Sequence, residues 1–257
     1  MLPGKLAARD PQLGDYHSQV SLGNIPGVFK VYKFGRGLLK GVGKFAPIAP
    51  LDGTLTLPAV PNFVTPTSSD INDVYGGTGA WSVHITGLGE TKEMETEIVR
   101  MNEQSTKKFF RVFRVFVYQC GVAVNPFPYE ASDIGNNIGD ITLTHAEGPV
   151  AMINARMGQT LMAVFTVPKD HVALMWSADT NMGKDADAVG YFFLRDTKLE
   201  NSAWRVQGIR DMYRNTVGKS WRLPSKIDEL TDIIMAAEGS LNDTVSGTFE
   251  MEIRRIR

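Results

Sequence analysis

The chain has 257 residues, of which 43% are hydrophobic and 21% are charged, and its 27 basic and 28 acidic residues leave a formal net charge of −1. This composition is that of a globular protein with a substantial core, and it excludes a disordered or fibrous chain. The balanced charge gives no overall electrostatic case for a nucleic-acid or membrane-surface partner, and the single cysteine, Cys120, excludes an intrachain disulfide and a cysteine-rich zinc site.

The first 75 residues differ from the remainder. Eight prolines between Pro3 and Pro66 preclude long helices, and no acidic residue stands between Asp15 and Asp52. A basic run lies in that interval: Lys30, Lys33, Arg36, Lys40 and Lys44. We predict an extended, Pro/Gly-rich, basic arm over residues 1–75. Its basic run is either a contact with an acidic protein surface or with nucleic acid, or a solvated segment.

From Gly76 onward the hydrophobic period is two, which predicts strands. Trp81, Val83 and Ile85 alternate with polar residues, and a second strand follows the turn Gly87–Gly89. In that second strand Glu93, Glu95 and Glu97 alternate with Met94 and Ile98. We expect the glutamates to face solvent and the apolar pair to face the core, with a calcium site or a basic neighbour as the alternative.

Further strands are predicted at short intervals. Phe109–Tyr118 is aromatic and β-branched, which indicates a strand covered on both faces except where Arg111 and Arg114 emerge. Ser225–Glu238 has a helix-capping pattern, but its Ile233-Ile234 pair and Gly239 favour a strand. Eight or more short strands indicate an all-β fold, an antiparallel sandwich or barrel, and we predict a jelly-roll-like antiparallel β-sandwich over residues 76–257.

Motifs of chemistry are absent from the sequence. His17, His84, His145 and His171 are widely spaced, and none forms a short metal-ligand pair. Cys120 ends an apolar strand, which is typical of an inert thiol. We therefore predict no catalytic residue, no cofactor and no metal ion. Two alternatives remain open: a glycan-binding module that uses Trp81, Trp176, Trp204 and Trp221, and a glycan hydrolase with two facing carboxyl groups.

Five segments carry a resemblance to a family. They are Gly76–Leu88, Asn137–Leu143, Gly158–Pro168, Leu223–Asp228 and Val245–Ile253. In content and order they resemble virion structural proteins of tailed bacteriophages, a family frequent among marine phages. The chain departs from the family pattern at Asn102-Glu103, where a hairpin Asn-Gly is common, and at residues 169–171.

The resemblance implies a capsid decoration, cement or knob protein without catalytic residues. The expected partners are the major capsid protein or other virion proteins, together with further copies of the chain, with a trimer favoured. No membrane or direct nucleic-acid partner is expected. The protein would be assembled in the host cytoplasm into the virion, with the basic run as the capsid contact. A tail, neck or receptor-binding virion component is the alternative.

Overall fold

A computed structural model of the chain describes residues 16–51, 55–121, 137–182, 187–213, 217–241 and 243–256. Over these residues the protein is all-β and its strand pairs are antiparallel, as predicted. In chain order the elements are α1 (Tyr16–Ser21), β1 (Val28–Leu38), β2 (Ala46–Pro47), β3 (Val64–Ser68), β4 (Ala80–Gly89), β5 (Met94–Arg100), β6 (Phe109–Cys120), β7 (Ile141–His145), β8 (Gly148–Ile153), β9 (Val164–Thr166), β10 (His171–Met182), β11 (Asp187–Asp196), β12 (Arg205–Tyr213), β13 (Val217–Ile227), β14 (Thr231–Gly239) and β15 (Thr244–Arg255).

The strands form four sheets that pack in two pairs. Sheet I has the order β1-β15-β10-β13, and sheet II has the order β12-β11-β14-β2 with β9 also on β14. Buried side chains of sheets I and II share one core, which we call sandwich one. Sheet III (β5-β4-β6) and sheet IV (β3-β7-β8) enclose a second core, sandwich two. The strand pattern predicted one sandwich over residues 76–257, whereas the described strands form two.

The two sandwiches are nested in the chain. Sandwich two is built from residues 64–153, whereas sandwich one takes β1 and β2 from before that segment and β9 to β15 from after it. Strand β1 pairs with β15 along its whole length, from Val28 opposite Arg254 to Leu38 opposite Thr244. The expectation of an arm over residues 1–75 therefore needs correction for its described part. Residues 28–38 form an edge strand because β15 offers them a continuous antiparallel partner, and residues 1–15 lie outside the described residues.

Strand β6 joins the two cores. Phe109, Val112 and Val115 pack in sandwich two, whereas Phe110 and Phe113 pack in sandwich one. This agrees with the prediction of a strand covered on both faces. Each core has apolar surface of β6 to bury, so the junction gains from the same hydrophobic effect that holds each sandwich together.

Arg111 was predicted to emerge into solvent, and this is wrong: its side chain is 2% exposed and is paired with Asp232 inside the junction. Its Nε and Nη2 donate to the two carboxylate oxygens of Asp232 on β14, at 2.9 and 3.0 Å. Arg195 on β11 donates to Asp232 Oδ2 at 2.6 Å, and the Thr166 hydroxyl donates to Oδ1 at 2.6 Å. A buried carboxylate is tolerated here because five hydrogen bonds, four of them from two guanidinium groups, replace its water.

The segment Ser225–Glu238 is extended, as preferred from the sequence: it ends β13, turns, and forms most of β14. The turn contains Leu230 with a φ of 54°. At the two turns where the chain departs from the family pattern, Asn102 and Asp170 adopt left-handed backbone conformations, with φ of 65° and 58°. Asparagine and aspartate tolerate this region better than other non-glycine residues, so these turns form without glycine.

Candidate interaction surface

The five basic residues proposed as capsid contacts do not share one face. Lys30 and Arg36 lie on β1 opposite Glu252 and Ser246, on the outward side of sheet I, and both are exposed. Lys44 is exposed in the connection to β2, and Lys40 is half-buried. Lys33 has the other strand parity and points into the protein.

The prediction that Lys33 contacts a capsid is wrong, because the residue is only 9% exposed and its side chain points into the protein. Its Nζ donates to the backbone carbonyl of Phe113 on β6, so the ammonium spans the junction between the sandwiches. Burial, and secondarily the charge of Arg114, lowers the pKa of Lys33 from 10.5 to about 7. An inward-pointing charge on an edge strand also discourages pairing with other strands.

Large apolar side chains are exposed between the outward basic residues. Tyr32 is 63% exposed, Leu38 41%, Val42 86% and Phe45 55%. We call residues 30–45 with these outward side chains the ribbon. On β1 the outward positions recur every second residue, so Lys30 and Leu38 lie about 27 Å apart along one line. Lys30, Tyr32, Arg36 and Leu38 thus form an outward line on β1, and the ribbon continues with Val42, Lys44 and Phe45 in the connection to β2.

Glu93 is exposed as predicted, but Glu95 and Glu97 on β5 lie on the opposite side from that predicted. Met94 and Ile98 are 38% and 48% exposed, whereas Glu95 and Glu97 are half-buried on the side of the buried Val99. Glu97 accepts hydrogen bonds from Thr106 N at 2.7 Å and Lys107 N at 2.9 Å. Alternation was predicted correctly, but a loop covers the glutamates, so these carboxylates hold that loop against β5.

The histidines are dispersed in the described structure as in the sequence. His84 stacks on Phe116 at 4.8 Å between ring centroids, and His171 contacts Phe29. His145 is 2% exposed, and burial lowers its pKa. The side chain of His17 lies outside the described residues. Among the described residues, no three His, Cys, Asp or Glu side chains converge as a metal site.

Cys120 is half-buried, and burial raises the pKa of its thiol. A raised pKa reduces the thiolate fraction at neutral pH, which fits the prediction of an inert thiol. In the described part of the chain, no helix has the length and hydrophobicity needed to cross a membrane.

The tryptophans do not form one platform. Trp81 lies on sheet III, where its Nε1 donates to Gly77 O at 2.6 Å, and Trp176 lies half-buried on sheet I. Trp204 is 38% exposed and lies immediately before β12 of sheet II. The side chain of Trp221 lies outside the described residues. A glycan platform that needs several of these rings on one face is therefore not supported by the three described ones.

Sequence reasoning missed Asp73, which organises two of the motifs that carry the family resemblance. This carboxylate is 1% exposed and accepts hydrogen bonds from Ala80 N, Ile138 N and Gly139 N at 2.7, 3.0 and 2.9 Å, and from the Ser68 hydroxyl at 2.6 Å. The glycine-rich segment before β4 and the turn before β7 meet at this one side chain. The available signal was the pair of glycine-containing turns, which leave backbone donors to satisfy.

Comparison with known proteins yields only distant likenesses. No family model matches the chain, and no curated protein matches it. Among solved structures, the VP2 subviral particle of infectious bursal disease virus aligns over 100% of this chain and 83% of its own, at 10% identity and a TM-score of 0.18. A mutant VP2 of the same virus, in T=1 particles, aligns over 96% and 85% at 8% identity and a TM-score of 0.15. A structure of the Gx strain of that virus aligns over 89% and 81% at 6% identity and a TM-score of 0.15.

These scores carry no argument about the ancestry or activity of the chain. The class of fold, an all-β protein of packed antiparallel sheets, is defined by its own strands.

Proposed function

We propose that this chain is a non-enzymatic structural protein of a virus particle, which decorates or cements the capsid through contacts between subunits. The ribbon is the observation that carries the proposal. Four exposed large apolar side chains within 16 residues are costly to leave in water, and an exposed apolar patch rimmed by charges is typical of a protein contact.

The ribbon is built to bind without rearrangement. Strand β1 is fixed to β15 by a continuous antiparallel register, and Lys33 fastens its inner side to Phe113 of β6. The outward side chains therefore start from a set spacing, and association orders little backbone. Preorganised contacts lose less conformational entropy on binding, which favours a stable subunit contact.

The charge of the ribbon indicates the chemistry of its partner. Lys30, Arg36 and Lys44 are exposed, and the segment between Asp15 and Asp52 contains no acid. Lys30 lies opposite Glu252 on β15 and pairs with Glu250 at 3.8 Å, with both side chains of that pair partly exposed, which is a weak pairing in water. An acidic capsid surface with apolar depressions complements both the charge and the rings of the ribbon.

Further copies of the chain are part of the proposal. Closed symmetry is the usual state of subunits placed at a capsid axis, and a trimer is favoured. Sedimentation velocity at micromolar concentration measures the oligomeric state directly. A strictly monomeric species would contradict the proposed trimer and would leave the proposed capsid contact unaffected.

The test is occupancy of parent particles depleted of the protein. The triple variant Lys30→Glu/Arg36→Glu/Lys44→Glu is compared with Arg100→Glu/Lys169→Glu/Lys226→Glu, which changes net charge equally at exposed sites outside the ribbon. We expect the ribbon variant to lose occupancy at least tenfold and the control to bind within twofold of wild type. Equal occupancy of both variants, at equal folded fraction by circular dichroism, would overturn the proposal.

A further inference from the structure

The outer face of sheet II contains a trough made of two adjoining hollows. One hollow, of about 480 Å³, is mainly apolar, and the other, of about 540 Å³, is mainly polar. Leu57 and Arg195 line both, so the hollows are continuous. Each volume falls within the roughly 300–1,000 Å³ of small-molecule sites.

Trp204 is one of two exposed rings that line the apolar hollow, and the other is Phe45. Its side chain is oriented by Phe193, which lies edge-on at 6.5 Å, and by the guanidinium of Arg195 at 4.6 Å from the ring centroid. Arg195 is itself fixed, because its Nη2 donates to the buried Asp232 at 2.6 Å. The indole is therefore held in place through Arg195, which contacts both the Trp204 ring and the buried Asp232 at the junction.

The polar hollow is formed by the turn between β11 and β12. Its lining includes Asp196, Glu200, Asn201 and Ser202, which stand within eight residues of Trp204 in the chain. The turn is internally fixed: Lys198 N donates to Asp196 Oδ1 at 2.9 Å. Two carboxylates, an amide and a hydroxyl are thus presented beside an exposed indole.

We infer that this trough binds a neutral oligosaccharide. A pyranose ring has an apolar C–H face that packs on an indole, and its hydroxyl groups donate to carboxylate and amide oxygens. A wholly apolar peptide segment would fill the Trp204 hollow but would offer no donor to Glu200 or to the second carboxylate oxygen of Asp196. Acidic sugars are disfavoured because Asp196 and Glu200 repel them, whereas the guanidinium groups of Arg111 and Arg195 in the same hollow are already paired with Asp232. The inference adds a ligand to the chain; the trough shares Phe45 with the ribbon, whereas the three residues of the charge-reversal variant line neither hollow.

The first experiment applies the full-length protein to an array of neutral hexose- and N-acetylhexosamine-containing oligosaccharides with sialylated counterparts. The neutral glycan with the highest signal is then titrated by calorimetry. We expect neutral glycans to be retained over sialylated ones. Array signals at background for all neutral glycans would overturn the inference.

Variants then locate the site. We expect Trp204→Ala to weaken binding of that glycan at least tenfold, Trp204→Phe two- to fivefold, and Glu200→Gln, an exposed change that leaves the rings intact, at least threefold. Tyr118→Ala removes an exposed ring on sheet III, at 50% exposure against 38% for Trp204, and should leave affinity within twofold. Unchanged affinity in the Trp204 and Glu200 variants would place any glycan elsewhere and sink the inference. Loss of capsid occupancy in Trp204→Ala without loss of glycan would identify the trough as a protein contact and do the same.

The two proposals fail separately. Charge reversal of the ribbon should reduce capsid occupancy and leave glycan affinity unchanged, whereas Glu200→Gln should do the opposite.

Discussion

Arg111 and Asp232 are separated by 121 residues in the chain and meet in a two-point ion pair, with Nε–Oδ1 and Nη2–Oδ2 distances of 2.9 and 3.0 Å. Arg111 belongs to sandwich two and Asp232 to sandwich one. With side chains 2% and 0% exposed, the pair is shielded from screening by salt. It fixes the relative position of the two cores that β6 already shares.

Substitutions at the two ends of this pair should differ in cost. In Arg111→Met, Asp232 keeps Arg195 and Thr166 as partners, so we expect a loss of about 2 kcal/mol in the free energy of unfolding. In Asp232→Leu, a buried guanidinium keeps only backbone carbonyl partners, and the loss should be about 4 kcal/mol. Urea unfolding of both variants measures the order, and a larger loss in Arg111→Met would contradict it.

Lys33 should make stability depend on pH. Its folded-state pKa of about 7 lies below its ordinary 10.5, so between these values the unfolded chain binds the proton more tightly and stability rises with pH. We expect Lys33→Met to gain about 1–3 kcal/mol at pH 6.5 and to flatten the rise between pH 7 and pH 10. Guanidinium unfolding at both ends of that window measures this. Lys30→Met, on the solvent side of the same strand, is the control and should keep the wild-type slope.

Gly35 should not tolerate a side chain. A Cβ at this position would lie 2.3 Å from Ile48 O and 2.4 Å from Ala163 N, both of which are backbone atoms. Backbone must shift to relieve such contacts, so we expect Gly35→Ala to lose about 3 kcal/mol. Gly208→Ala, whose nearest neighbour would be Phe192 Cβ at 3.9 Å, is the matched control in a thermal melt. Equal melting temperatures would show that β1 does not approach sheet II this closely.

Thr180 should be more stable as valine. Its side chain is 4% exposed, and its hydroxyl has no hydrogen-bond partner among the described residues. Valine has nearly the same shape and no polar group to bury, so Thr180→Val should gain about 1 kcal/mol. Thr180→Ser, which keeps the hydroxyl and loses the methyl group, should lose stability instead. A loss in Thr180→Val would reveal a partner for the hydroxyl.

The sequence predicted the strands well because alternation is a local property of the chain. Met94 to Ile98 alternates as expected, and Ser225–Glu238 is extended despite its helix-like start. Which face of a strand is buried is not a local property, because it depends on which distant segment covers that strand. The loop at Thr106 and Lys107 covers Glu95 and Glu97, and β6 covers Lys33. For the same reason Arg111 was expected outside.

The two-core arrangement was also beyond the sequence pattern. The aromatic and β-branched segment Phe109–Tyr118, interrupted by two arginines, indicates that both faces of β6 are covered, and the burial of Phe109, Phe110, Val112 and Phe113 confirms this. It contains no information about whether one sandwich or two provide the cover. The ribbon was partly predicted, because its cationic residues form an acid-free run. The trough was not, because Leu57, Arg195 and Trp204 are brought together only by sheet II and the segment that crosses it.

The pairing of β1 with β15 imposes an order on synthesis. Residues 64–153 emerge from the ribosome as one contiguous stretch and contain the described strands of sandwich two. Strand β1 can pair only after its partner β15, which begins at Thr244, has been synthesised. At translation rates of about 5–20 residues per second, that delay is roughly 10–40 s. A nascent chain that has not yet reached β15 therefore contains the described strands of sandwich two while β1 still lacks its partner strand. Premature stop products would retain the inner module alone.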